Sequence, residues 1–331
     1  MSALPPDGWM PIRVYRQDTQ IMVDWCAFDW QRAVEPFFDQ AVDRELMHPF
    51  NALFRAQTSL DTLVARQSSA YIPPPSGFVF HMSRCGSTLV TRMLQMAPHT
   101  RVAVEPGSIS MLLRLTADRS DEERVALLRA LLSAFGRASS ADAPPRYFFK
   151  FDAWDTCDLP LIRRAFPDTP WMFLYRDPLE VLVSQMALPS GTLLSRFDVG
   201  ARLGLDPATA FGMSPEELCA RLLGMCCRVA LENLDEHAVL VDYCQLHNQL
   251  FDLLARAFDI TWTPEDMRHA RRATRFHAKQ PTELFTDDTD RKRRMATEAM
   301  SAAVERWTRG PYDELVAAHR NRDSYKLEQA T

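Results

Sequence analysis

FVFHMSRCGSTLVTRMLQ, at residues 78–95, joins an apolar run to a helical pattern through a short polar turn. The apolar run predicts a buried strand, and the apolar spacing after Thr88 predicts a helix. A turn of this kind points several backbone amides and the hydroxyls of Ser87 and Thr88 at one spot, which suits a phosphate or a similar oxyanion. Arg84 adds a guanidinium that can bind two oxygens at once. The alternative interpretation is an ordinary strand-to-helix turn with a surface arginine.

Four more apolar runs of strand type follow the first along the chain. They lie at Arg101–Val104, Tyr147–Phe149, Trp171–Tyr175 and Ala238–Val241. The first three of the five runs lead into a polar turn and helical periodicity, and capping signals predict helices near 121–136, 215–234 and 264–276. This alternation predicts an α/β fold, a P-loop-like parallel β-sheet covered by helices on both faces.

The sequence before the proline-rich linker IPPPSG, at 72–77, is rich in aromatic residues and resembles a short strand followed by helices. We therefore expect an N-terminal extension at 1–75 that packs on the core. Residues 76–331 are expected to form the P-loop domain, with a helical lid region at the C-terminal end.

Composition narrows the possible partners. The chain has 331 residues and a formal net charge of -5, which argues against nucleic acid as the main partner. Seven cysteines without a CxxC motif are typical of a reduced compartment. There is no apolar run of about 18 residues and no signal-peptide pattern, so we expect a cytoplasmic protein without a membrane span. No two histidines are spaced as a helical zinc pair, so no metal is expected. The oligomeric state is left open.

A second motif, FLYRDPLEVLVSQM at 173–186, places Arg176 at the end of a strand and Ser184 a little over two helical turns further on. Together the guanidinium and the hydroxyl can bind a second phosphate. A lone arginine after a strand is usually a surface residue, so this prediction depends on the first motif.

These motifs resemble those of the sulfotransferases that use 3'-phosphoadenosine 5'-phosphosulfate (PAPS). HMSRCGSTL is similar to the family's 5'-phosphosulfate loop, and YRDPLEVLVS to its 3'-phosphate motif. FFKFDAWDTCDLP resembles the family's strand with a lysine, and VLVDYCQL a later strand. The likeness covers roughly residues 77–255 and is nearest to the bacterial-type enzymes, with some likeness to tyrosylprotein sulfotransferases. Two features depart from the family: the closing GxxGxWK signature is absent, and the first 75 residues match no family feature.

The resemblance implies transfer of a sulfuryl group from PAPS to a hydroxyl or amine of a small-molecule or peptide acceptor, with 3',5'-adenosine bisphosphate as product and no metal. It implies that the donor is bound by the first loop, through Arg84, Cys85, Gly86, Ser87 and Thr88, and by Arg176 and Ser184. It further implies that Lys150 reaches the sulfuryl group. Inside the loop, Cys85 is expected to act as a small space-filling residue.

An alcohol acceptor needs a group that takes its proton, and two carboxylates are candidates. Glu105 follows the second strand in VAVEPGS, and Asp152 follows Lys150 by two residues. We favour Glu105, because a Glu-Pro-Gly turn at the carboxyl edge of a parallel sheet places a carboxylate where such folds bind ligands. Either carboxylate could instead be a solvated turn residue or an ion-pair partner of Lys150.

The missing closing signature leaves the lid over the 3'-phosphate unassigned. His277, Lys279 and the basic run Arg291–Arg294, which includes Arg293, are our candidates to replace it. A basic run is otherwise most often a solvated helix face. The alternative function is a P-loop nucleotide kinase or a phosphonucleotide-binding protein without catalysis. The kinase is disfavoured because the lysine of GxxxxGKS is absent.

Overall fold

The computed structural model of the chain describes residues 5, 6, 8–66, 73–137, 146–190, 193, 195–273, 276, 277, 280–284 and 289–329. Its main sheet has five parallel strands, which match the predicted runs to within one residue at each end. They are β4 (Gly77–His81), β5 (Thr100–Val104), β6 (Arg146–Lys150), β7 (Trp171–Tyr175) and β8 (Ala238–Asp242). The strand order across the sheet is β5-β6-β4-β7-β8. The predicted parallel α/β sheet is confirmed.

The two central strands are buried along their whole length, which explains why their sequences are continuous apolar runs. Phe78 of β4 pairs in register with Phe149 of β6 on one side and Trp171 of β7 on the other. Next to this row, the rings of Phe80 and Phe151 stack with their centroids 4.6 Å apart. Because β4 lies between strands that come later in the chain, the connections diverge on either side of it, and such a point is where open α/β sheets bind ligands.

Helices flank this sheet, and three of them match the predictions from capping signals. The α-helices are α1 (Phe38–Leu46), α2 (Pro49–Leu53), α3 (Leu60–Arg66), α4 (Ser87–Met96), α5 (Gly107–Leu115), α6 (Asp121–Phe135), α7 (Leu159–Ala165), α8 (Pro178–Ala187), α9 (Arg196–Arg202), α10 (Pro207–Gly212), α11 (Pro215–Glu232), α12 (Leu246–Phe258), α13 (Pro264–Ala273), α14 (Thr289–Met295), α15 (Glu298–Trp307) and α16 (Arg309–Gln329). Short 3-10 helices lie at Trp30–Arg32, Ala153–Asp158 and Tyr243–Gln245. Among the described helices, none has the length and apolar character needed to cross a bilayer.

The N-terminal segment differs from its prediction. Instead of one short strand it contains a three-stranded antiparallel sheet made of β1 (Trp9–Gln17), β2 (Gln20–Ala27) and β3 (Ala56–Ser59). The β1–β2 pairing is irregular between Pro11 and Arg13, which interrupts the alternation that would have marked the strand. Strand β1 contacts α5 and α6, and the rings of Phe38 and Phe135 lie 5.4 Å apart. Whether 1–75 is a separate unit stays a prediction.

The C-terminal region carries a second small antiparallel pair, β9 (Phe276–His277) and β10 (Gln280–Leu284), followed by α14 to α16. Helix α14 contacts α8, which directly follows the Arg176 motif. This contact brings the basic run of α14 to the carboxyl edge of the main sheet.

Candidate active site

The carboxyl ends of the main strands gather nearly all of the predicted site residues. Strand β4 leads into the loop that contains Arg84, and β5 into Glu105. Strand β6 ends at Lys150, and β7 leads into Arg176. Parallel strands end at the same edge of a sheet, so a single edge presents groups drawn from segments far apart in sequence.

The loop after β4 has the backbone of an anion-binding turn. Ser83, Arg84 and Gly86 have positive φ values of 67°, 49° and 81°. Consecutive residues of this kind turn their N–H groups toward one side, and the loop ends at the N-terminus of α4, where the partial charge is positive. A Cβ on Gly86 would lie 2.5 Å from Leu246, so only glycine fits there. Ser87 and Thr88, the first two residues of α4, are buried at this turn.

Within the loop, Arg84 and Cys85 face different surroundings. The Arg84 guanidinium is partly exposed and donates a hydrogen bond to the carbonyl of Leu188, just after α8. Burial lowers the pKa of Arg84, and Glu105 acts against that shift. Cys85 is fully buried and donates to the carbonyl of Leu174 at 3.3 Å, and burial raises the pKa of its thiol to about 12. Cys85 can therefore reach a ligand only through its backbone.

Lys150 and Glu105 form an ion pair at the carboxyl ends of the neighbouring strands β5 and β6. Lys150 is 1% exposed, and its Nζ contacts Oε1 of Glu105. The Glu105 N–H donates to the Lys150 carbonyl at 2.7 Å, which fixes the two residues side by side. Glu105 has φ of 50°, an uncommon conformation for a residue with a side chain, and such outliers concentrate at functional sites.

His81 completes this cluster, and the sequence analysis did not single it out. Its Nδ1 accepts a hydrogen bond from the Ser83 N–H at 3.0 Å, so a neutral ring carries its proton on Nε2. That nitrogen lies 3.2 Å from the Phe151 carbonyl and 3.4 Å from Oε1 of Glu105. The position of His81, between a buried strand and the loop, is the only sequence signal that could have identified it.

The two candidate proton acceptors have pKa values displaced in opposite directions. Burial by itself would raise the pKa of Glu105, but the charge of Lys150 and the contacts with His81 outweigh it, so the pKa lies well below its ordinary value. Burial and the charge of Glu105 raise the pKa of Asp152 to about 6. Asp152 caps the 3-10 helix at Ala153–Asp158 and accepts from the Trp154 N–H at 3.2 Å.

Arg176 is held by a carboxylate that the sequence analysis also missed. It is 4% exposed, and its Nε and Nη2 lie 2.8 and 2.7 Å from Oε2 of Glu180. Its guanidinium carbon lies 3.9 Å from the centre of the Tyr243 ring. The spacing of Arg176 and Glu180, four residues apart across the start of a helix, is a signal for an ion pair that was available in the sequence.

Arg293 of α14 approaches the same carboxylate, with its Nε 3.3 Å from Oε1 of Glu180. Two guanidinium groups therefore contact one buried carboxylate. The basic run is not a fully solvated face, because Lys292 is 8% exposed. Lys279 lies outside the described residues, and of His277 only the backbone is described.

Ser184 and Gln185 lie near the end of α8. Ser184 is half-buried, and its carbonyl accepts from the Leu188 N–H at 3.2 Å. Gln185, which the sequence analysis did not mention, is fully buried and donates to the Ser83 hydroxyl at 2.8 Å. This bond ties the helix that follows Arg176 to the loop that contains Arg84.

An open cleft of about 460 Å³ is lined by both candidate proton acceptors, Glu105 and Asp152. Its other lining residues are Phe37, Asp39, Gly107, Ser110, Met111, Arg114, Trp154, Asp155, Asp198 and Arg202. They come from α1, α5, α9 and the 3-10 helix after β6. Among the described residues, no group of three or more His, Cys, Asp or Glu side chains is arranged to hold a metal ion.

No protein-family model matches the chain, and no curated protein does. Several solved structures are similar to it. The sulfotransferase domain from the curacin biosynthetic pathway has a TM-score of 0.41 and 15% identity, over 71% of this chain and 98% of that one. Sulfotransferase STF1 from Mycobacterium tuberculosis H37Rv has a TM-score of 0.41 and 13% identity, over 64% and 75%. Sulfotransferase STF9 from Mycobacterium avium has a TM-score of 0.40 and 13% identity, over 71% and 79%. These TM-scores and identities are too low to assign this chain a family or an activity.

Proposed function

We propose that the chain is a sulfotransferase, which moves the sulfuryl group of PAPS to a hydroxyl or amine of an acceptor. The observation that carries this proposal is the pairing of two cationic elements at the ends of the neighbouring strands β4 and β7. One is the loop that contains Arg84, in which several residues have positive φ angles. The other is Arg176, whose guanidinium lies over the Tyr243 ring. A donor with a phosphosulfate at one end and a separate phosphate at the other requires two such elements.

In this proposal the phosphosulfate lies against the loop amides of 83–87, the hydroxyls of Ser87 and Thr88, and Arg84. These groups are fixed before the donor arrives, so they stabilise the charge that develops on the phosphate leaving group without reorganising. The 3'-phosphate lies by Arg176, with Ser184, Arg293 and Lys279 as further candidate ligands. Glu180 would orient the Arg176 guanidinium, whose planar shape suits a phosphate.

The acceptor occupies the cleft beside Glu105. Its oxygen or nitrogen attacks sulfur, a new bond to sulfur forms, and the bond from sulfur to the bridging oxygen breaks. 3',5'-Adenosine bisphosphate leaves, and the proton of the acceptor passes to Glu105. Asp152 lines the same cleft and is the alternative proton acceptor.

In this proposal Lys150 can contact either the candidate base Glu105 or the sulfuryl group of the donor. While it is paired with Glu105, it keeps that carboxylate a weak base. The anionic donor competes for the same ammonium group. A Lys150 that turns to the donor sulfuryl group releases Glu105, whose pKa then rises toward the range useful for general-base catalysis.

The direct test is transfer of labelled sulfuryl group from PAPS to a panel of alcohols, phenols and amines. A parallel measurement compares thermal unfolding with 3',5'-adenosine bisphosphate and with ATP plus Mg²⁺. A ligand at a hundred times its dissociation constant stabilises the native state by about 2.7 kcal/mol, so specific binding gives a clear shift.

Stabilisation by the bisphosphate alone, together with labelled product, supports the proposal. Stabilisation by ATP with Mg²⁺ alone would indicate a kinase instead. Binding of the bisphosphate without transfer to any acceptor would point to a binding protein.

A further inference from the structure

The side chains that line the cleft beside Glu105 differ in charge from those of the loop after β4 and from Arg176. Five carboxylates line it, at Asp39, Glu105, Asp152, Asp155 and Asp198. Only two cationic side chains, Arg114 and Arg202, do so among the described residues. Phe37 and Trp154 also line the cleft, and Trp154 is itself buried.

Three of the five carboxylates have an ion-pair partner, and Arg202 is shared between Asp155 and Asp158. Asp198 lies 2.7 Å from Nη2 of Arg114, and Asp155 lies 2.9 Å from Nη2 of Arg202. Glu105 pairs with Lys150. Both arginines of the cleft and the buried Lys150 therefore each contact a carboxylate of the cleft.

Asp39 and Asp152 have no ion-pair partner in the described part of the chain. Each accepts one backbone hydrogen bond, Asp39 from the Gly107 N–H at 3.3 Å and Asp152 from the Trp154 N–H at 3.2 Å. The cleft therefore has a surplus of two carboxylates, one at its exposed rim and one near Glu105. Burial and the charge of Glu105 raise the pKa of Asp152, as expected for a buried carboxylate without an ion-pair partner.

We infer that the acceptor is a small cation, a molecule with a positively charged amine or a similar group beside the hydroxyl that receives the sulfuryl group. This inference rests on the proposed function. A cation in the cleft would pair with Asp39 or Asp152, the two lining carboxylates that lack an ion-pair partner in the described part of the chain. An anionic acceptor would meet two carboxylates that have no ion-pair partner in the described part of the chain.

The test compares acceptors that share a skeleton and differ in charge. One set is tyramine, para-ethylphenol and para-hydroxyphenylacetate, and an aliphatic set is aminohexanol, heptanol and hydroxyhexanoate. We expect kcat/KM for the cation to exceed that for the neutral partner by about tenfold or more, since a tenfold ratio needs only about 1.4 kcal/mol. The anion is expected to be the poorest acceptor in each set.

Asp39→Asn is the matched variant, because the amide oxygen can still accept from Gly107 while the charge is removed. We expect it to reduce the preference for the cation, measured as the ratio of the two kcat/KM values, about three- to tenfold. Asp168→Asn, on an exposed turn at the opposite end of the sheet, is the control and is expected to change neither value.

Calorimetric titration of tyramine and para-ethylphenol onto the protein saturated with 3',5'-adenosine bisphosphate gives a readout that needs no turnover. If transfer occurs but neutral or anionic acceptors are preferred, the inference is wrong and the proposed function stands. An Asp39→Asn variant that keeps the full cation preference also overturns it. If no acceptor is sulfated, the proposed function is wrong, and tighter binding of tyramine than of para-ethylphenol still supports a cation-binding cleft, while equal binding contradicts it.

Discussion

Strands β4 and β7 lead into Arg84 and Arg176, whereas β5 and β6 lead into Glu105 and Asp152. The two halves of one sheet edge therefore differ in charge. One half offers guanidinium groups and loop amides, and the other offers carboxylates. The division lies between β6 and β4, and Lys150 at the end of β6 is the cation that pairs with Glu105 in the acidic half.

This difference would allow a chain with a net charge of -5 to bind the proposed polyanionic donor. The total charge has little influence, because charges separated by more than about 8 to 10 Å are largely screened in solution at physiological ionic strength. The local arrangement of each half determines which ligand it takes. A substitution in one half should therefore change the response to one ligand and spare the other.

The largest effect is expected from Glu105→Gln, which keeps the shape of the side chain and removes the proton acceptor. Turnover should fall by about 10² to 10⁴, while donor affinity changes little. The comparison is Asp152→Asn, which should cost much less turnover. The measurement is steady-state turnover at saturating PAPS with each variant. A larger loss in Asp152→Asn would assign the proton transfer to Asp152, and small losses in both would exclude both carboxylates.

The second largest effect is expected from Arg84→Ala, a substitution in the half of the sheet edge that offers guanidinium groups and loop amides. Loss of one group that stabilises a developing negative charge lowers turnover by roughly a hundredfold or more. Affinity for 3',5'-adenosine bisphosphate should weaken less than turnover. Arg268→Ala, which removes an exposed arginine of α13, is the control for a general loss of positive charge. Activity of Arg84→Ala within a factor of three of the wild type would contradict the loop assignment.

Arg176→Ala should lower affinity for 3',5'-adenosine bisphosphate about ten- to a hundredfold, because a hydrogen bond to a charged group contributes about 1.5 to 3 kcal/mol. Affinity for adenosine 5'-monophosphate, which lacks the 3'-phosphate, should barely change. Titration of both nucleotides against each variant is the measurement, and Ser184→Ala should show the same pattern more weakly.

The Arg176 substitution also leaves Glu180 buried beside an empty position, so the variant could unfold. Arg176→Lys keeps the charge and loses the planar fork that Glu180 holds. It should also weaken binding of 3',5'-adenosine bisphosphate more than binding of adenosine 5'-monophosphate, but by a smaller factor than Arg176→Ala does. Equal weakening of both nucleotides in the lysine variant would assign Arg176 a structural role.

The smallest expected effect concerns stability and pH in the acidic half. The folded-state pKa of Asp152 is about 6, above its unfolded value of 3.8. Between these values the folded state binds more protons than the unfolded state, so this group lowers the free energy of unfolding as pH rises. Asp152→Asn does not lose stability in this way as pH rises. The free energy of unfolding of the variant minus that of the wild type should therefore increase by about 1 to 3 kcal/mol between pH 4 and pH 8. Urea denaturation across this pH range measures it, and a pH-independent difference would mean that Asp152 ionises normally.

The main sheet could be predicted from sequence because its strands are buried on both faces and appear as unbroken apolar runs. The predicted residues Arg84, Glu105, Lys150 and Arg176 also reach one edge, because parallel strands align their carboxyl ends there. The helices near 121–136, 215–234 and 264–276 followed from capping residues, which act locally.

Features that depend on long-range contacts could not be predicted in the same way. The bond from Gln185 to Ser83 joins residues 102 positions apart and gives no local pattern. The β1–β2 hairpin was missed because Pro11 and the bulge beside it break the period of two. Which of the two carboxylates pairs with Lys150 depends on the register between β5 and β6, which the sequence does not specify.

The positive φ angles at Ser83, Arg84 and Glu105 bear on how this chain can evolve. Each costs roughly 1 to 2 kcal/mol in a residue with a Cβ, and glycine would avoid most of that cost. At Ser83 and Glu105 the side chain offsets that cost, because it binds the buried Gln185 or pairs with the buried Lys150, and a buried group left without its partner is more costly than the strain. Arg84 is partly exposed, so glycine there would relieve strain and remove the loop guanidinium. A screen for heat resistance alone should therefore enrich Arg84→Gly, and a screen for the activity should eliminate it.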